Sequence, residues 1–141
     1  MVALLFTFTL VGVSGCSDSK CDQAKIEAQK AKALVNDLNK SKASLEKKLY
    51  SERELSCASV DDDKPLVDQT VSETLWRAVC RDWEKNNRDM TEIMANDYEA
   101  KSLNQEIIEA GKRWALTVTT YKDCFDASTV MDATEILSRN G

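Results

Sequence analysis

The chain has 141 residues and a formal charge of −5, set by 19 lysines and arginines against 24 aspartates and glutamates. That balance disfavours nucleic acid, whose phosphates select a positive face. The complete lack of histidine removes the commonest general base and the commonest metal ligand together. Four glycines and one proline among 30% charged residues favour helix over a turn-rich β fold. The expected class is therefore all-α: a three-helix bundle or helical hairpin with coiled-coil-like packing, stapled by disulfides.

Residues 1–15 carry no charged side chain, are dominated by Val, Leu and Phe, and close on small residues. A run this short falls below the roughly 20 apolar residues of a membrane-spanning helix and has the length of a signal-peptide hydrophobic region. We expect it to be a signal peptide, leaving about 125 residues, the size of one domain with a sizeable core. Five cysteines in an exported chain read as disulfides rather than free thiols.

Val13-Ser14-Gly15-Cys16 resembles the lipobox of bacterial lipoproteins: an aliphatic residue, two small residues and a cysteine. The resemblance implies cleavage before Cys16, lipidation of Cys16 and anchoring of the mature chain in a membrane through its acyl chains. Ser17 at the next position implies delivery to the outer membrane. If Cys16 is acylated, Cys21, Cys57, Cys80 and Cys124 remain as an even set. Residues 16–21 are then expected to form a short polar tether, with a single helical domain over 22–141.

Helix one is expected over 22–56. Leu34, Leu38, Leu45 and Leu49 fall within about 60° of one another at 100° per residue, with Ala24 and Ala31 continuing the stripe. The rest of this stretch is Lys, Glu, Gln, Asn and Ser, mildly basic where everything after Cys57 is acidic, as expected of a helix packing on complementary neighbours. An acidic loop follows over 57–65, where Asp61-Asp62-Asp63-Lys64-Pro65 combines like-charge repulsion with a proline. It lacks the alternating oxygen ligands and glycine of a calcium loop, so its charge reads as loop and helix-start polarity.

Helix two is expected over 66–85, where Val71, Leu75, Val79 and Trp83 repeat every fourth residue, with Trp76 and Cys80 beside them. After the polar break Asn86-Asn87-Arg88-Asp89, helix three spans 88–125. Ile93, Ala100, Ile107, Trp114 and Tyr121 recur every seven residues, and Asn96, Leu103, Ala110, Thr117 and Cys124 form the companion row. Ser128 or Thr129 is placed to cap a short last helix over 128–138, ended by Asn140-Gly141.

No C-x-x-C pair, nucleophile elbow, phosphate loop or dinucleotide fingerprint occurs. Carboxylate pairs such as Glu106 with Glu109, or Asp97 with Glu99, read as solvent-facing residues of charged helices. The expectation is a chain without catalytic residues, cofactor or metal, in which Cys21, Cys57, Cys80 and Cys124 are structural. Cys21 and Cys57 lie at opposite ends of helix one, roughly 50 Å apart, so Cys21 pairs with Cys80 or with Cys124. An up-down-up bundle would favour Cys57–Cys124 with Cys21–Cys80.

Trp76, Trp83 and Trp114 lie on apolar stripes and are the candidate contacts for a ligand or partner if they are not simply core. Trp114 with Lys122-Asp123-Cys124 is similar to the tryptophan-to-cysteine segment of small helical bacterial lysozyme-inhibitor lipoproteins, a likeness confined to that stretch. The leading functional expectation is a membrane-anchored cell-envelope lipoprotein, periplasm-facing or at the surface. It would act without catalysis on an envelope protein partner, in a tethering, exclusion or inhibitor role. The alternative is a soluble, secreted helical carrier or signalling protein binding a receptor, or a small apolar ligand among the tryptophans, Met90 and Met94. The uncharged leader and the Asn39-Lys40-Ser41 sequon would suit it.

Overall fold

The structure, a computed structural model, describes residues 16–60, Pro65 and 69–139, with side chains from residue 19 onward. The expected signal peptide over 1–15, with Val13-Ser14-Gly15 of the lipobox-like segment, then Asp61–Lys64, the expected start of helix two over 66–68 and the closing Asn140-Gly141 lie outside the described residues. Those described form helices and turns and no strand. In chain order the helices are α1 (Cys16–Ala58), α2 (Val71–Lys85), α3 (Thr91–Asn96), α4 (Tyr98–Thr120) and α5 (Ala127–Arg139), with a 3-10 turn at Lys122–Cys124. The all-α, disulfide-stapled class is as expected.

Four boundaries differ from the sequence reading, each for a local reason. The expected tether at 16–21 is helical, because no Gly or Pro interrupts the chain from Cys16 to Ala58 and the early Ser and Asp residues suit a first turn. Helix two starts at Val71, where Thr70 and Glu73 close a capping box. The Thr70 hydroxyl accepts from the Glu73 amide at 3.1 Å, and the Glu73 carboxylate accepts from the Thr70 amide at 2.7 Å. The expected helix over 88–125 is broken at Asp97, which is extended and caps α4 by accepting from the Ala100 amide at 2.9 Å. α5 is capped by Asp126 rather than by Ser128 or Thr129. The Asp126 carboxylate accepts from the Thr129 amide at 2.9 Å and from both the Ser128 and Thr129 hydroxyls. These donors, the Ser128 hydroxyl first, hold the Asp126 carboxyl well below the usual carboxylate range.

The chain divides into two compact units. Among the described residues, one comprises 16–31 together with 112–139. Its core joins Ala28 of α1, Ala115 and Val118 of α4 and Ala133 of α5, with Trp114, Phe125, Val130, Ile136 and Leu137 packed around them. Three of the four central residues are alanines, so the helix backbones approach closely and the large side chains fill the periphery. The other unit, Lys32–Gly111, has a core of Leu45, Trp83, Met90, Met94 and Ala100, against which Leu49, Tyr50, Cys57, Ile93 and Leu103 pack. Ala100, Ala110, Leu103 and Trp114 of the seven-residue rows thus face inward or are partly buried, whereas Asn96 and Tyr121 are exposed.

Each unit holds one disulfide, and the favoured pairing is corrected: the bridges are Cys21–Cys124 and Cys57–Cys80, with Cα–Cα distances of 5.2 and 5.5 Å. α2 has 15 residues, about 22 Å at 1.5 Å per residue. Cys80 on it therefore stays within reach of the end of α1 that precedes it, where Cys57 lies, and Cys124 is left for Cys21.

Digestion without reduction should release the peptides Cys21–Cys124 and Cys57–Cys80, and neither of the crossed pairs. By loop entropy, a closed loop of 103 residues constrains the unfolded chain by about 4.7 kcal/mol and one of 23 residues by about 3.4 kcal/mol. Serine replacement of both members of the first bridge is thus expected to lower unfolding free energy more than the same replacement in the second, as measured by urea denaturation. A Cβ added at Gly111 in α4 would meet nothing within 4 Å. Gly111→Ala should raise stability by about 0.5–1 kcal/mol in the same assay through helix propensity.

Candidate partner-binding surface

The Lys32–Gly111 unit gathers most of the chemistry-bearing side chains. At 100° per residue, Trp76, Cys80 and Trp83 share one side of α2, and Val71, Leu75, Ala78 and Val79 lie on another, within about 100° of arc. The structure buries Cys80 and Trp83 of the first side and leaves Trp76 38% exposed. Cys80 is bridged to Cys57, and Trp83 is 7% exposed. Of the four residues that repeat every fourth position, only Trp83 is buried, and Val71, Leu75 and Val79 are 79%, 63% and 43% exposed.

Both tryptophans of this unit carry an arginine. Trp83 meets the edge of Tyr50 with ring centroids 5.5 Å apart, and the Arg88 guanidinium lies 5.5 Å from its ring centroid. Arg88 Nη1 donates to the Tyr50 hydroxyl at 3.1 Å and to Glu54 Oε1 at 2.8 Å. Trp76, less buried, has Arg53 at 5.0 Å from its centroid, and its indole N–H donates to the Ser56 carbonyl at 3.5 Å. The Trp83 indole N–H is buried and has no hydrogen-bond partner among the described residues.

Arg88 reaches over Trp83 because the chain reverses direction through Asn87 and Arg88, whose φ angles of 55° and 58° are left-handed. Asparagine tolerates that region, whereas arginine adopts it only when its surroundings compensate. Asp89, the next residue, accepts from the Thr91 hydroxyl at 2.7 Å and the Thr91 amide at 2.9 Å, so it sits at the start of α3 with its carboxyl held below the usual range.

Beyond the exposed end of α2 lies a cleft of about 670 Å³, open to solvent and walled by Arg53 of α1, Val79 and Trp83 of α2, and Ile93 of α3. Asp82, Asp89, Glu92 and Asp97 also line it, four carboxylates against one guanidinium. Asp82 and Asn86 continue the outward side of α2, so the apolar face runs directly into an acidic end.

The sequence-expected contact residues are thus split. Trp76 and Trp83 lie in this unit, whereas Trp114 packs against the alanine-rich core of the other. Met90 and Met94 belong to the core around Trp83 and do not line the cleft. Cys21, Cys57, Cys80 and Cys124 are all bridged, and the Cys16 side chain is outside the description. No group of three metal-ligating side chains occurs among the described residues. Asp97, paired with Glu99 in the sequence reading, is a helix cap, and Glu106 accepts from Ser102 at 3.3 Å. The Tyr50–Glu54–Arg88 cluster was not anticipated. Its signal was the polar run Asn86-Asn87-Arg88-Asp89, which marks a chain reversal but does not name the aromatic ring that the arginine covers.

Replacing Arg88 separates the cost of its backbone from the gain of its side chain. Arg88→Ala keeps the left-handed cost and loses the contacts to Trp83 and Tyr50; Arg88→Gly loses the same contacts and relieves the backbone. Melting temperatures should fall in the order wild type, Arg88→Gly, Arg88→Ala. Glu54→Gln should change the midpoint little, because the Arg88–Glu54 pair is solvent-exposed.

Comparison of the chain with protein-family models, with characterised proteins and with solved structures finds no match.

Proposed function

We propose that this chain is a membrane-anchored lipoprotein of the cell envelope that acts without catalysis, as a protein-interaction module. The observation that carries this reading is Val13-Ser14-Gly15-Cys16 at the end of an uncharged apolar leader, the arrangement that precedes lipidation at Cys16. Cysteine parity supports it. Two intramolecular bridges use four of the five cysteines, and the fifth is Cys16.

α1 begins at Cys16. An acyl chain there would attach directly to a helix instead of through a flexible spacer, and would hold the first turns close to the headgroups. The chain offers its partner large exposed apolar side chains on helices, among them Val71, Leu75 and Val79, one turn apart on α2. Exposed apolar surface of that kind marks contact sites more often than chemistry. Tethering, exclusion or inhibition of an envelope protein all fit such a surface.

The intact mass of the native mature protein tests the reading. The expected species starts at Cys16, carries acyl mass, lacks four hydrogens for two disulfides and fractionates with membranes. Cys16→Ser should move the protein to the soluble fraction. A soluble, unacylated native chain cut at another position would overturn the anchored reading.

A further inference from the structure

We infer that the outward face of α2 and the acidic cleft at its end dock a basic, amphipathic helix of a protein partner. The inference rests on the interaction role proposed above and names the surface and the chemistry of what it binds. Two independent features meet here. Val71, Leu75 and Val79, one turn apart, form an apolar row that the fold leaves exposed although the opposite side of the same helix is buried. Val79 is also a wall of the cleft, in which Asp82, Asp89, Glu92 and Asp97 outnumber the single Arg53.

An apolar row of one-turn spacing accepts the matching row of another helix. Carboxylates at its end select Lys or Arg on the incoming segment and repel acidic ones. From Val71 to Asn86 the surface is about 22 Å long, which suits a partner helix of about four turns. Two of these carboxylates are already engaged locally, Asp89 with Thr91 and Asp97 with the Ala100 amide, so they hold fixed positions.

The test uses the full mature chain with Cys16→Ser, so that binding is read independently of anchoring. The probes are two 15-residue helical peptides with Leu at every fourth position, one carrying Lys between them and the other Glu, titrated by calorimetry. The lysine peptide should bind at least about tenfold more tightly than the glutamate peptide, and its affinity should fall with added salt. Leu75→Glu combined with Val79→Glu should weaken the lysine peptide by about tenfold or more, with helix content unchanged by circular dichroism. Asp82→Asn combined with Glu92→Gln should flatten the salt dependence, and Met131→Glu, at an exposed apolar residue of α5, should change nothing.

Equal affinity for both peptides, or no binding of either, would overturn the proposal. So would binding that survives the Leu75 and Val79 changes but is lost on Met131→Glu, a result that would leave the interaction role standing on another surface. Self-association of the chain that Leu75→Glu dissolves would also overturn it, by showing that a second copy covers the face. Failure of the interaction role itself would be seen separately, as absence of any cross-linked partner to the native anchored protein at every exposed face.

Discussion

The covalent link between Cys57, near the end of α1, and Cys80, in the middle of α2, sets how α2 is rotated about its own axis. A helix bridged at one position must turn that side toward its neighbour, and Trp83, one turn on, follows it inward, while Trp76, one turn back, stays at the edge and 38% exposed. Trp83 then becomes the hub of its unit, in contact with the Leu45, Met90 and Met94 core, edge-on to Tyr50 and covered by Arg88. The same rotation puts Val71, Leu75 and Val79 outside. Burying the aromatic side is the more favourable choice, since a tryptophan removes far more apolar area from water than a valine does.

The unit containing the chain start and the α4–α5 end is built on a different principle. Small residues bring the helix backbones together, and the Cys21–Cys124 bridge joins α1 to the turn that follows α4. Ala115 and Ala133 are wholly buried, which leaves little freedom for larger side chains there. Trp114 belongs to this unit as a packing residue, which is the ordinary role of a tryptophan on a helical stripe. Its likeness to the tryptophan-to-cysteine segment of inhibitor lipoproteins therefore points at framework, not at a contact surface.

A lipidated Cys16 and an interaction surface on α2 would divide the labour between the two units: one carries the start of the chain, the other the exposed apolar row and acidic cleft. The Arg53–Trp76 and Arg88–Trp83 pairs give the second unit a rigid backing for that surface. Arg88 is held against Trp83 and Glu54 and does not line the cleft, and Arg53, the one guanidinium that does, also lies over the Trp76 ring. The cleft consequently keeps its negative character, and the apolar row ends in a charge of defined sign.

Helical class, the presence of two bridges once Cys16 is set aside, and the chain breaks after Ala58 and Lys85 were all legible in the residues themselves. They depend on local propensities: few Gly and Pro, an even set of four cysteines, a run of aspartates before Pro65 and two adjacent asparagines. The capping box at Thr70 and Glu73 was equally present in the sequence, and it outweighed the more upstream start suggested by Leu66. What only the tertiary structure decided was choice among equivalents. α2 has apolar residues on two sides, and periodicity cannot say which side faces inward until a partner position such as Cys57 is known. Four cysteines permit more than one pairing, and relative helix lengths select between them. Asp97 and Asp126 look like ordinary surface acids until the helix starts they cap are in place. In each case the local signal was degenerate, and the contact that resolved it came from a residue distant in the chain.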